Sequence, residues 1–217
     1  MISGAPLVPS EIVAITPKQN ATILYSPASI PLDKEDLSQP ESIFFNSGNA
    51  QEVHAFYYPP HNTNYCGMED ELPPAIAMCH GGPTSATSSG LNLKIQFWTS
   101  RGFAVVDINY RGSTGFGRKF RQQLDKAWGI ADVEDTGHAM AYLSEQHMVD
   151  PERCIIRGGS AGGFTVLSAL TFADTFKAGA SLYGIGDLET LANDTHKFES
   201  MYLESLVGPY PQCKDIY

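Results

Sequence analysis

The fold is decided by the stretch CIIRGGSAGG at residues 154–163. Its first three residues are apolar and typical of a buried strand, and an apolar helical pattern begins at Ala161. Between them lies Gly158-Gly159-Ser160-Ala161-Gly162, a G-x-S-x-G pattern that in this context places Ser160 on a tight turn from strand to helix. Neighbours without a side chain let such a turn close. The pattern predicts a nucleophilic serine at the carboxyl edge of a sheet, and a glycine-rich phosphate-binding or packing turn is the alternative.

The pattern on both sides of this stretch alternates between strand and helix, which predicts a mostly parallel sheet flanked by helices in an α/β domain. Four short runs are apolar throughout, as strands covered on both faces are. A hairpin precedes them. The strand-like runs lie at residues 75–79, 103–108, 154–156 and 178–183, the hairpin strands at 42–45 and 52–58, and the helical patterns at 91–98, 133–143 and 161–170.

Residues 1–40 differ from the rest of the chain because they hold six of its 14 prolines. Proline removes a backbone donor and fixes φ, so this segment is predicted to form edge strands and a linker. Two short runs in it are strand-like, Glu11–Ile15 and Ala21–Tyr25. We therefore expect a boundary at residue 40, with the α/β domain over 41–217.

Composition excludes several classes of protein. The 42% hydrophobic content is enough to bury a core, and the net charge of −10 argues against a nucleic-acid partner. No apolar run approaches the roughly 20 residues that cross a bilayer. The four cysteines form no C-x-x-C pattern and the six histidines are scattered, so we expect no metal and no other cofactor. Because no disulfide scaffold or secretory signal is visible, a reducing, cytoplasmic compartment is expected.

A second motif precedes the serine in the chain, where His80-Gly81-Gly82-Pro83 follows the strand at 75–79. Acyl transfer needs two N–H donors aimed at the developing oxyanion, one from the residue after the nucleophile and one from a loop of this kind. The N–H groups of Gly82 and Ala161 are therefore predicted to form the oxyanion hole. His80 is interpreted as structural, because in this fold the base follows the serine.

Two further stretches complete a set of four ordered motifs: NYRGSTGFG at 109–117 and WGIADVED at 128–135. From about Ser42 to the last residue, the sequence resembles the catalytic domain of the prolyl oligopeptidase family of serine peptidases. The H-G-G-P form is similar to its acylaminoacyl-peptidase and dipeptidyl-aminopeptidase branch. The resemblance implies an α/β-hydrolase fold and short peptide substrates. It also implies that residues before Pro40 join a β-propeller domain, which would be a partner of this domain in the full-length protein.

The chain departs from this family after the serine. An α/β-hydrolase triad runs Ser, Asp, His along the chain, whereas this sequence ends at Tyr217, soon after Ser160. We expect the last two strands and both other triad members to be missing, and the chain to be catalytically incomplete. His196 and Asp187 are the possible substitutes. His196 is interpreted as a surface histidine and Asp187 as a helix N-cap.

Tyr110 and Arg111 follow the strand at 103–108 and lie near the expected substrate position. They could bind substrate, or they could hold the long loop behind them by hydrogen bonds. Two other functions stay open at this point. One is a carboxylesterase or lipase of the same fold, and the other is a non-catalytic truncated isoform that acts by interaction.

Overall fold

The computed structural model describes residues 1–18, 20–27, 33–194 and 201–217. Within these ranges the chain forms a six-stranded mixed sheet with helices on both faces and a separate three-stranded antiparallel sheet at its start. The strands are β1 Ile2–Ala5, β2 Val8–Ile15, β3 Ala21–Tyr25, β4 Glu41–Ser47, β5 Gln51–Tyr58, β6 Ala75–Cys79, β7 Ala104–Asn109, β8 Cys154–Gly159 and β9 Ala178–Leu182. The helices are α1 Leu93–Thr99, α2 Arg118–Gln122, α3 Ala131–Glu145, α4 Ala161–Phe172, α5 Leu188–Asp194 and α6 Tyr202–Leu206.

The large sheet has the order β4-β5-β7-β6-β8-β9. Strands β7, β6, β8 and β9 are parallel to one another, and the β4–β5 hairpin is added antiparallel to β7. Because parallel strands end at the same edge, the loops after β6, β7 and β8 meet there. The predicted hairpin, the parallel strands and the predicted α/β class are therefore present.

The two faces of the sheet are covered by different helices. Alternate residues of one strand point to opposite faces, so Ala77 packs in the cluster with α3 and α4, whereas Ile76 packs with Ile95 of α1. Helix α4 contacts β8 and β9, and α3 contacts β4, β6 and β7. The turn at Ser160 between β8 and α4 is thus supported by packing on the α3–α4 face.

Strand β9 departs from the sequence prediction. Residues 178–183 were expected to be covered on both faces, but β9 is largely exposed and stands at the edge of the sheet in the described residues. Among the described strands it pairs only with β8. Its neighbours on α4, Leu167 and Leu170, are also about 40% exposed. The prediction of full burial was wrong because apolar composition does not tell whether a strand has a second neighbour.

The start of the chain forms the sheet β1-β2-β3, in which the two predicted strand-like runs lie in β2 and β3. Strand β1 was not predicted, because it is short and exposed along its length.

Further along, Ser38 is buried and exchanges two hydrogen bonds with the Gln96 amide of α1, at 2.8 and 2.9 Å. The contacts of Ser38 therefore attach it to the large sheet's helices, and the boundary at residue 40 stays a prediction.

The four cysteines are free thiols, of which Cys79 and Cys154 are buried as expected. Among the described helices, none combines the length and the apolar character that a membrane span needs. His196 lies outside the described residues.

Candidate active site

Ser160 occupies a strained turn between β8 and α4. Its backbone has φ 54° and ψ −122°, a region that residues with a side chain seldom adopt and that is found at functional sites. The Ser160 N–H donates to Leu182 O of β9 at 3.1 Å, and its carbonyl accepts from Gly163 N at 2.9 Å to begin the helix. Ser160 is exposed at the carboxyl edge of the sheet, where the sequence placed it.

The glycines of the motif are required by close backbone approach. A Cβ on Gly158 would collide with Gly162 O, and one on Gly162 would collide with Cys79 O and lie 2.7 Å from His80 O. The turn therefore packs directly against the end of β6, from which the His80-Gly81-Gly82-Pro83 loop departs. The two sequence motifs meet because their backbones touch.

The predicted oxyanion donors share one cavity with the serine. Gly82, Ser160 and Ala161 all line a cavity of about 140 Å³. Gly82 has φ +70°, a conformation that favours glycine. Ala161 is the first residue of α4, where backbone N–H groups have no intrahelical acceptor. The arrangement can present N–H donors to an anion next to the Ser160 hydroxyl.

The rest of this cavity is mainly apolar. It can accept an apolar side chain beside the serine, because such a side chain gains by leaving water. The remaining lining residues are Pro83, Trp128, Ile185, Leu191, Tyr202, Leu203 and Leu206.

Ser160 also lines a second and larger cavity, of about 690 Å³. Its wall includes Asp107 and Arg157, and Asp107 is 8% exposed. Burial raises the pKa of Asp107 to about 6, while a hydrogen bond from Thr87 Oγ1 lowers it. In the described residues no group of three or more His, Cys, Asp or Glu side chains could hold a metal ion.

His80 serves the loop and not the serine. Its Nε2 lies 2.8 Å from Ser113 Oγ, its Nδ1 lies 3.0 Å from Gly81 O, and its ring stacks on Tyr110 at 4.3 Å. Burial lowers the pKa of His80, although its contact with Gly81 O raises it. A ring held by these contacts stiffens the loop, in agreement with its structural interpretation.

Tyr110 and Arg111 make their contacts within the protein. Tyr110 is completely buried and its hydroxyl donates to His80 O at 2.8 Å. Arg111 donates from Nε to Asp135 at 2.9 Å and from Nη2 to Glu134 at 2.5 Å. Neither residue lines the 140 Å³ cavity. These contacts fit the structural alternative, and a contact with substrate stays a prediction.

Asp132 has a role that the sequence did not reveal. It is completely buried and accepts hydrogen bonds from Gly129 N at 2.6 Å and from Thr165 Oγ1 of α4 at 2.5 Å. Burial raises its pKa to about 6, and the two hydrogen bonds oppose this rise. The W-G-x-x-D motif thus ties the start of α3 to the helix behind Ser160. The sequence feature that could have predicted this role is an acidic residue in the first turn of a helix that packs on the sheet.

The possible substitutes for a triad are not assembled around Ser160 in the described residues. Asp187 accepts from Thr190 N at 2.8 Å at the start of α5, as predicted for an N-cap. Within the same residues no histidine hydrogen-bonds to Ser160 Oγ. The site therefore brings together the predicted nucleophile and the predicted oxyanion donors, without a general base among the described residues.

Comparison with known sequences agrees with this geometry. The profile of the prolyl oligopeptidase family matches residues 89–213, which is more than half of the chain. The chain belongs to the prolyl oligopeptidase family. The matched segment contains the G-x-S-x-G turn at Ser160. The predicted family and the predicted α/β-hydrolase fold are confirmed.

Two relatives match 94% and 61% of the chain. Dipeptidyl aminopeptidase BIII of Pseudoxanthomonas mexicana is 29% identical over 206 residues, which are 94% of this chain and 26% of the relative. The acylamino-acid-releasing enzyme of Arabidopsis thaliana is 33% identical over 149 residues, 61% of this chain and 20% of its own length. This chain therefore spans about a quarter of the length of such relatives.

Solved structures are more similar. A puromycin-hydrolyzing peptidase of Mycobacterium tuberculosis is 41% identical with a TM-score of 0.96, over 100% of this chain and 33% of that one. A puromycin hydrolase is 38% identical with a TM-score of 0.94, over 99% of this chain and 33% of that one. Both superimpose on nearly the whole chain, in agreement with an α/β-hydrolase architecture of the large sheet.

Proposed function

We propose that this chain supplies the nucleophile and the oxyanion hole of a serine peptidase that hydrolyses short peptides through an acyl-enzyme. The observation that carries the proposal is that Ser160, Ala161 and Gly82 line one cavity at the carboxyl edge of the sheet. The similarity to puromycin-hydrolysing and dipeptidyl aminopeptidases supports it.

In the proposed reaction, Ser160 Oγ attacks the carbonyl carbon of the substrate while a base removes the hydroxyl proton. The carbonyl oxygen becomes an oxyanion and accepts hydrogen bonds from the N–H groups of Gly82 and Ala161. The C–N bond then breaks, the leaving amine takes the proton, and water later hydrolyses the ester. The mainly apolar cavity that these three residues line receives an apolar side chain next to the attacked carbonyl.

We also propose that this chain alone has no meaningful amidase activity. Among the described residues, His80 is bonded to Ser113 and Asp187 caps α5, so neither serves as a base or its partner. An unactivated serine hydroxyl is a weak nucleophile. Loss of a triad member leaves about 10³–10⁴-fold catalysis over water, far below that of a complete triad.

The partners follow from the same proposal. A short peptide is the substrate, and the sheet β1-β2-β3 together with residues up to 40 joins a β-propeller domain of the full-length protein. Nucleic acid is not a proposed partner, in view of the net charge of −10. No membrane partner is proposed either, because the sequence has no apolar run of the length that crosses a bilayer. The four free thiols support a reducing, cytoplasmic compartment.

A carboxylesterase or lipase is the second candidate, because the elbow and the oxyanion hole serve esters as well as amides. An activated ester has a better leaving group and depends less on a general acid, so ester hydrolysis is the activity that this site supports most easily by itself. A truncated, non-catalytic isoform that acts by interaction is the third candidate, and it predicts binding without hydrolysis.

The test is Ser160→Ala in the full-length protein, assayed with a fluorogenic peptide amide and with a p-nitrophenyl ester. The variant should fold and lose turnover, whereas Ser144→Ala on α3 should match the wild type. Peptide turnover by the wild type at a rate comparable to its ester turnover supports the peptidase. Ester turnover alone supports the esterase, and peptidase activity of Ser160→Ala near that of the wild type would refute the assignment of the nucleophile.

A further inference from the structure

The oxyanion loop, here residues 80–84, is held from a distant part of the chain. Tyr202, the first residue of α6, lines the same cavity as Ser160 and Gly82. Its hydroxyl donates to Gly82 O at 2.9 Å. The same oxygen lies 2.6 Å from Thr84 Oγ1 and accepts from Thr84 N at 3.2 Å. One hydroxyl therefore bridges both ends of the turn that follows the oxyanion donor.

These contacts satisfy the hydroxyl fully. A tyrosine hydroxyl has one proton to donate and can accept two hydrogen bonds. Donation to Gly82 O and acceptance from Thr84 N and Thr84 Oγ1 use all three. A Phe ring at residue 202 would keep the apolar wall of the cavity and lose all three bonds.

The loop needs such an anchor because, apart from Tyr202, the carbonyl of its donor residue Gly82 accepts only from Thr84 of the same loop. Gly82 has φ +70°, is exposed, and has only Ser85 Cβ near the position that a Cβ would take, at 3.7 Å. Packing therefore does not fix its backbone. The other end of the loop is fixed independently, since Tyr110 donates to His80 O at 2.8 Å and His80 stacks on Tyr110.

We propose that Tyr202 is a positioning residue that holds Gly82 so that its N–H points at the oxyanion. The inference rests on the proposed function. Oxyanion-hole donors act mainly on the transition state, and removal of one costs about 10²–10³-fold in kcat. Because loss of the anchor misplaces the donor without removing it, we expect a smaller loss, of about tenfold.

The experiment compares Tyr202→Phe with the wild type in the full-length protein, using a fluorogenic peptide and a peptidyl boronic acid that forms a tetrahedral adduct with the serine. We expect kcat to fall about tenfold with KM within twofold, as for an interaction made only in the transition state. The inhibition constant of the boronic acid should rise by the same factor. The exposed Tyr65→Phe is the matched control and should change none of these values.

Thr84→Val provides the second measurement, because it removes the contacts of Thr84 Oγ1 with Tyr202 Oη at 2.6 Å and with Gly82 O at 3.4 Å. Alone it should lower kcat by about two- to threefold, and in Tyr202→Phe it should cause a smaller further loss than it causes alone, as for coupled residues. A rise of KM at unchanged kcat in Tyr202→Phe would show a pocket-lining role and overturn the inference. If Tyr202→Phe does not fold, an unchanged kcat in Thr84→Val overturns it.

Ser160→Ala in the same assay separates this inference from the proposed function. If Ser160→Ala keeps turnover, or if the wild type has none, the proposed function fails and the inference fails with it. If Ser160→Ala is inactive while Tyr202→Phe behaves as the wild type in both kcat and boronate inhibition, only the role of Tyr202 is wrong.

Discussion

The hydroxyl of Thr165 on α4 donates a hydrogen bond of 2.5 Å to the buried carboxylate of Asp132 on α3. Both residues are completely buried, so no water replaces either partner. The bond joins the start of α3 to the helix that begins behind Ser160. The position of α4, which begins directly after Ser160, thus depends on a polar contact inside the core.

Thr165→Val should therefore destabilise the protein. The substitution keeps the shape of the side chain but leaves a buried carboxylate oxygen without its donor, which costs about 1–3 kcal/mol. Chemical denaturation measures the change. Thr171→Val on the same helix is the control, because Thr171 is exposed and bonds only to Leu167 O. Equal losses in the two variants would contradict the importance of the Asp132 contact.

Arg111→Met should lower the free energy of unfolding by about 3–5 kcal/mol, because it leaves the carboxylate of Asp135 buried without its cation. The Asp135 side chain is completely buried. Replacing both residues, as in Arg111→Met with Asp135→Leu, should recover much of the loss.

These two variants also decide whether Arg111 contacts substrate or acts only within the protein. If the residue acts only within the protein, the double variant should have the wild-type KM for short peptides in the full-length protein. An unchanged stability together with a raised KM would show instead that Arg111 contacts substrate.

The buried Asp107 should make stability fall as pH rises from about 4 to 6. Its folded pKa of about 6 lies above the ordinary value of 3.8, so the folded protein holds the proton more tightly in this window. Its contribution is fully present below the ordinary pKa and is lost as the pH rises through the folded pKa. Over two pH units the effect reaches at most about 3 kcal/mol.

Asp107→Asn removes this titration, and urea unfolding measured every half unit between pH 4 and 7 detects the difference. The wild type should lose stability relative to the variant across the window, with no further change above it. Asp125→Asn, at an exposed position, is the control. A wild-type profile parallel to that of Asp107→Asn would rule out a raised pKa.

The chain by itself should show no turnover of a fluorogenic peptide above that of its Ser160→Ala variant, because no general base for Ser160 lies among the described residues. A fluorophosphonate probe should label Ser160 slowly or not at all. Stoichiometric labelling accompanied by turnover, with both lost in His196→Ala, would overturn this expectation and identify His196 as a base.

The sequence predicted the parts of the site that local backbone geometry determines. Ser160, the glycines around it and the loop at Gly82 form motifs whose residue types are required by a turn or a close approach. It could not predict the contact of Tyr202 with Gly82, because these residues are 120 positions apart and α6 carries no motif.

The errors have a similar origin. Residues 178–183 have the composition of a buried strand, but burial depends on neighbours that composition does not specify. The functions of Tyr110 and Arg111 were left open for the same reason, since a strand end near the site offers both substrate and protein partners. Only the folded chain shows Tyr110 stacked on His80 and Arg111 facing Asp135.

The hydrogen bond from Ser160 N to Leu182 O extends the pairing of β8 with the edge strand β9 into the turn at Ser160. Edge strands open locally at a lower free energy than the centre of a sheet. The rate of amide hydrogen exchange at Ser160 should therefore follow the local opening of β9 and not the slower global unfolding that exposes β6 and β7. A second strand that paired with the open edge of β9 would suppress this local opening. It would thereby hold the turn at Ser160 in place without contacting the cavity.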